Sequence, residues 1–149
     1  MINGFAYSKS LKCQFEEVYK TGEVNFGKLY IQENKLRYEY EEDNLYTIIY
    51  DFYGNLYSVL NDNNKKIQAI ERNKNLFTTL INLTKDYPNI PNKLLLEGME
   101  INIENSQNSK FIKRIAVKSD QLNVSIFFYD CIAQEINHKL FIVSPFIKE

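Results

Sequence analysis

Apolar and polar side chains alternate with a period of two along most of this chain. Leu11, Cys13 and Phe15 alternate with Lys12, Gln14 and Glu16, and Leu36, Tyr38 and Tyr40 alternate with Arg37, Glu39 and Glu41. That pattern marks strands with one buried and one wet face. Leu29 and Ile31 follow Thr21-Gly22 and Gly27; Tyr46, Ile48 and Tyr50 follow a turn at Asp43-Asn44. A turn at Tyr53-Gly54-Asn55 leads into Leu56–Leu60, and the Asn-rich turn at 61–64 leads into a short apolar run at 67–70. Further on, Met99, Ile101 and Ile103, then Ile115 and Val117, then Val124, Ile126 and Phe128 repeat the alternation, and a last apolar piece at 140–143 stops at Pro145. Turn signals every ~8–12 residues predict an antiparallel meander.

One segment breaks the rhythm. Between 75 and 86, Leu76, Phe77, Leu80, Ile81 and Leu83 fall on one helical face, with Asn73 or Asn75 as the N-cap. Pro88 and Pro91 forbid continuation. The fold class expected is therefore mainly β with one or two helices (α+β): a large curved antiparallel sheet of ~9–10 strands and one inserted helix. One helix of about three turns cannot cover the apolar face of so large a sheet, so that face must close as a barrel, dimerise or bind something apolar.

Composition narrows the function classes. The 149 residues fit one domain, and 18 basic against 19 acidic residues disfavour a dedicated nucleic-acid binder. No apolar run reaches the ~18 residues of a membrane-spanning helix. Scarce Gly and Pro with abundant Asn, Ile, Lys and Tyr match an AT-rich coding background, which removes the Asn and Lys content as a functional signal. Catalytic motifs are missing: there is no GxSxG, P-loop, GxGxxG, HExxH or paired-cysteine metal pattern, Gly54 and Gly98 sit alone at turns, and no cofactor or metal is expected. His138 reads as solvent-facing and Glu41-Glu42-Asp43 as a wet turn, so a non-enzyme is expected. The tyrosines at 30, 38, 40, 46, 50, 53 and 57 could stack bases or sugars, but without interleaved basic residues they suit cross-strand packing or the rim of a lipid cavity better.

The two ends of the chain bear on compartment. Ala6-Tyr7-Ser8 has the small-x-small form of a signal-peptidase site, and residues 1–8 are expected to be the remnant of a signal peptide whose start lies upstream, with a single domain over 9–149. The alternative is a plain cytoplasmic N-terminus with Met1 as the true start. Cys13 and Cys131 have no CxxC spacing and no nearby His. In an oxidising compartment they could close a loop of nearly the whole domain, worth ~5 kcal/mol in the chain-entropy model; otherwise they are two buried thiols.

Gly27-Lys28-Leu29-Tyr30-Ile31 followed by Leu36-Arg37-Tyr38-Glu39-Tyr40 resembles the G-x-L-x-[IV] … [KN]-[LF]-[RN]-[WY]-x-[YH] core of the outer-membrane lipoprotein carrier (LolA) family. Ile49-Tyr50-Asp51-Phe52-Tyr53-Gly54-Asn55-Leu56-Tyr57 stands where that family has L-[IV]-x-D-G-x-x-[LI]-W/Y, with two extra residues between Asp and Gly. Leu76-Phe77-Thr78-Thr79-Leu80-Ile81 resembles its helix, Phe141-Ile142-Val143-Ser144-Pro145 its closing F-x-[FV]-x-P, and Cys13-Gln14-Phe15 lies where a family strand begins. The usual N-terminal amphipathic helix has no counterpart before Ser10, and Glu33-Asn34 replaces an Arg-Pro whose Arg the family uses in cargo transfer.

The resemblance implies an incomplete β-barrel with a helix lid over an apolar concave face. It implies a periplasmic carrier that shelters the acyl chains of lipoproteins, or another lipid, on the way to the outer membrane. Its partners would be an inner-membrane lipoprotein-releasing transporter and an outer-membrane acceptor, and the carrier itself would be a monomer. The cavity lining it implies is Leu29, Ile31, Leu36, Tyr38, Tyr40, Ile48 and Tyr50 on the sheet and Phe77, Leu80 and Ile81 on the helix. Tyr38→Glu is then expected to abolish acyl binding while the fold survives. The alternatives are a β-sheet interaction domain and a closed, lipocalin-like carrier of a smaller lipid.

Overall fold

The computed structural model describes residues 10–42, 47–53, 56–60, 66–67, 74–105, 111–120 and 122–142. Alternation resolves into ten strands: β1 Ser10–Tyr19, β2 Val24–Gln32, β3 Lys35–Tyr40, β4 Thr47–Asp51, β5 Leu56–Leu60, β6 Lys66–Ile67, β7 Lys93–Leu96, β8 Met99–Glu104, β9 Arg114–Ser119 and β10 Asn123–Ile132. They form one antiparallel sheet in the order β6-β5-β4-β3-β2-β1-β10-β9-β8-β7. The chain thus starts at the middle of the sheet and meanders out to β6. The one α-helix among the described residues, α1 (Lys74–Asp86), precedes the opposite edge strand β7, from which the chain meanders back until β10 pairs with β1. The sheet is not closed: β6 and β7 are its two free edges.

Register puts every inward residue on one face. Cys13 lies opposite Leu29, Leu29 opposite Tyr38 and Tyr38 opposite Ile48; on the other flank Glu17 lies opposite Ile126, Ile126 opposite Ile115 and Ile115 opposite Ile103. Helix α1 presses Leu76, Phe77, Leu80, Ile81 and Leu83 onto that face, and strands and helix form one continuous core. Thr79 and Thr84 also turn inward; their hydroxyls donate to the carbonyls of Asn75 and Leu80 at 2.8 Å, which lets them be buried without loss. The helix stops before Pro88, whose ring cannot continue it.

Two local departures make the core fit. Between Lys12↔Ile132 and Gln14↔Tyr129 the ladder gains one residue on β10, so that Asp130 and Cys131 both face Cys13. Asp130 takes the left-handed conformation (φ 53°) that Asp tolerates better than most residues, and Gln14 Nε2 donates to its carboxylate at 3.3 Å. The extra residue reverses the parity of β10 and brings Cys131 to the buried side, where it is disulfide-bonded to Cys13 across 118 positions. Gly27, mid-strand in β2, is the second departure. A Cβ there would run into the Phe15 ring and the Glu39 carbonyl, so only glycine lets that ring lie flat across β2.

The C-terminal segment covers part of the other face. Tyr30, Ile136 and Phe141 form a small separate cluster, pinned where Ile136 N–H donates to Gln32 Oε1 (2.7 Å) and Arg37 Nη1 to the Leu140 carbonyl (3.0 Å).

Some sequence expectations are corrected. The final apolar piece is not a strand: His138–Phe141 is a 3-10 turn capped by Asn137, whose side chain accepts from Lys139 N–H. Asn75 is not the cap but a residue inside α1; Asn73 lies outside the described residues. Strand β7 was not foreseen, because Lys93-Leu94-Leu95-Leu96 alternates weakly; it pairs with β8 across the turn at Gly98 (φ 71°). Residues 1–8, the turns at Asp43-Asn44 and 61–64, Tyr46, Gly54 and residues 68–70 lie outside the described residues.

Candidate functional site

The ten residues expected to line a cavity all lie on the face that α1 covers. Leu29, Ile31, Leu36, Tyr38, Ile48, Tyr50, Phe77, Leu80 and Ile81 are buried, and Tyr40 is half-buried at the edge of the same cluster. Sheet and helix meet through both oil and polar contact. The Tyr38 and Phe77 ring centroids are 5.3 Å apart, and the Tyr50 and Thr78 hydroxyls are hydrogen-bonded at 2.8 Å. His138 is exposed, Glu41 is exposed and Glu42 half-buried; Asp43 is outside the described residues.

The face is not uniformly apolar. At the β1–β2 hairpin end the inward series Leu11, Cys13, Phe15 continues to Glu17, a carboxylate only 3% exposed. Its Oε1 accepts from the Tyr19 hydroxyl (2.9 Å) and Asn25 Nδ2 (3.3 Å); its Oε2 accepts from the hydroxyls of Tyr38 (2.5 Å) and Tyr40 (2.8 Å). Asn25 also reaches Glu23 at 3.4 Å. Among the described residues no Lys, Arg or His pairs with Glu17. A buried carboxylate ordinarily has a cation partner; here four neutral donors stand in its place.

The aromatic rings that supply those hydroxyls brace each other. Phe15 stacks on Tyr38 with centroids 4.1 Å apart and planes 12° off parallel. Tyr40 stands edge-on to both, at 5.6 and 5.4 Å. Burial first, and the Glu17 charge second, push the Tyr19, Tyr38 and Tyr40 hydroxyls well above the ordinary tyrosine range, so all three remain donors. Glu17 was missed in reading the sequence, though its signal was there: it occupies an inward parity position that should have been apolar. The same network corrects the expectation for Tyr38→Glu. A carboxylate at position 38 would be buried against that of Glu17, so the substitution would break the core rather than test binding.

Among the described residues no group of three or more His, Cys, Asp and Glu side chains is arranged to hold a metal ion, and no helix is long and apolar enough to cross a membrane. The chain matches no protein-family model, and no curated protein matches it.

Proposed function

We propose that this protein is a non-catalytic carrier that takes up acyl chains between helix α1 and the apolar face of its open sheet, with the helix acting as a lid. The observation that carries the reading is the coverage itself. On the face that α1 covers, β1 to β4 and β8 to β10 contribute buried apolar side chains, and the 13-residue helix shares that cover with Phe111 and Ile112. Acyl chains that displace α1 would replace its apolar contacts with equivalent ones, each buried methylene contributing ~0.8 kcal/mol. The likeness of residues 27–57, 76–81 and 141–145 to the outer-membrane lipoprotein carriers supports lipoproteins as cargo. An incomplete barrel, a periplasmic site of action, a releasing transporter and an outer-membrane acceptor belong to the same reading. The Cys13–Cys131 bond fits an oxidising compartment.

The test is transfer into solution. Membranes carrying a triacylated lipoprotein, its releasing transporter and ATP are incubated with the protein, beside a non-acylated form of the same lipoprotein. The reading predicts a soluble one-to-one complex by size exclusion with the acylated form only. Complexes with both forms would mean that the sheet binds polypeptide, and no complex with either would leave the likeness to the carriers without functional content.

A further inference from the structure

A carrier's apolar face needs no ionisable group, yet this one holds Glu17. Holding a carboxylate there takes four donors from two neighbouring strands and from β1 itself: Tyr19, Asn25, Tyr38 and Tyr40. A Leu or Phe at position 17 would continue the Leu11, Cys13, Phe15 series and bury more apolar area. The group sits at one end of the helix-covered face, in contact with two of the candidate lining residues, Tyr38 and Tyr40. Tyr19 and Tyr40 are only half-buried, so two of the four donor residues reach partly into water. Glu23 shares the Asn25 amide and adds a second negative charge on the same side.

We infer that Glu17 and its tyrosines form the headgroup subsite of the acyl-binding face, favouring a cationic amine over an anion at the polar end of an amphiphile while admitting a neutral, amide-linked end such as that of a triacylated lipoprotein. This rests on the carrier reading. An ammonium carries three N–H donors and a full positive charge, so it can take over the bonds now made by the Tyr19 and Tyr40 hydroxyls and neutralise the carboxylate as well. A carboxylate or phosphate headgroup would meet a like charge in a low-dielectric site with no cation among the described residues paired to offset it.

The experiment measures binding of three twelve-carbon probes below their micelle concentrations at pH 7: dodecylammonium, dodecanoate and neutral dodecanol. The subsite predicts that the ammonium-to-carboxylate affinity ratio falls about tenfold or more in Glu17→Gln, with dodecanol binding to wild type as the measure of the apolar face itself. Should Glu17→Gln fail to fold, Tyr19→Phe serves instead. It leaves the carboxylate one donor short, so the ratio should rise about two- to threefold above wild type. An unchanged ratio in Glu17→Gln, or an unchanged or lower one in Tyr19→Phe, overturns the subsite while dodecanol binding leaves the carrier reading standing. No dodecanol binding to wild type removes the carrier reading and the subsite together.

Discussion

The two faces of this sheet are built from the same strands and alternate residue by residue, yet they solve opposite problems. Along β1, Leu11, Cys13, Phe15 and Glu17 are buried on the covered face, while Lys12, Gln14, Glu16 and Val18 stay partly in water. The covered face is over-determined: a disulfide, a glycine that admits a stacked ring, and a carboxylate held by four donors all fix it. The other face is loose. Val24, Phe26 and Tyr129 remain exposed there, while Ile49 and Leu60 are buried and the C-terminal segment packs around Tyr30. Apolar side chains alone therefore do not define the candidate site; what separates the faces is how much specific hardware one of them carries.

The contrast can be broken most strongly at its covalent pin. Replacing both cysteines, as Cys13→Ala with Cys131→Ala, should lower stability by about 4 kcal/mol, read from urea unfolding, because the bond spans nearly the whole chain. A loss below about 1 kcal/mol would mean that the β1–β10 ladder holds without it. Gly27→Ala comes next, at about 3 kcal/mol, since the added methyl meets the Phe15 ring and the Glu39 backbone. An unchanged urea midpoint would show that Phe15 is not held flat across β2.

Alkali sharpens the comparison. The buried Tyr38 and Tyr40 hydroxyls have pKa values raised by burial and by Glu17. Above pH ~10 the unfolded chain releases protons that the folded one keeps, so this stabilisation is intact below that pH and is lost as pH rises further. The slope is about 1.4 kcal/mol per pH unit for each such hydroxyl. Tyrosinate absorbance should accordingly show part of the tyrosine signal appearing only with unfolding; a single smooth titration near pH 10 without unfolding would contradict the cradle. Last, Phe26→Ser on the open face should change stability by less than about 0.5 kcal/mol in the same urea assay. A larger loss would mean that this face is packed after all.

Much of this was legible in the sequence, for reasons that name themselves. Period-2 alternation collects Leu29, Leu36, Tyr38, Ile48 and Tyr50 on one face by parity, but which face turns inward is decided only by the packing of α1 against it. The helix was legible because Leu76, Phe77, Leu80 and Ile81 break that period. What escaped depended on contacts between distant strands. The Cys13–Cys131 pairing turns on a bulge at Asp130, which no local pattern announces. The role of Gly27 is visible only once Phe15 is laid beside it. Edge strand β7 has only one neighbour, and its exposed Leu95 blurs the alternation. Glu17 was present in the pattern as an exception, and its meaning came from tyrosines two strands away.

The central claim is that acyl chains enter between α1 and the buried face rather than on the open one. The chain has no tryptophan, so a single indole can report on either place. Phe77→Trp puts it on the helix against Tyr38, and Phe26→Trp puts it on the exposed face. Each variant is titrated with a triacylated lipopeptide whose acyl chains carry bromine, and fluorescence quenching is measured. The account predicts saturable quenching of the indole at position 77 and little at position 26. Quenching at 26 with none at 77 would place the acyl chains on the open face and contradict it.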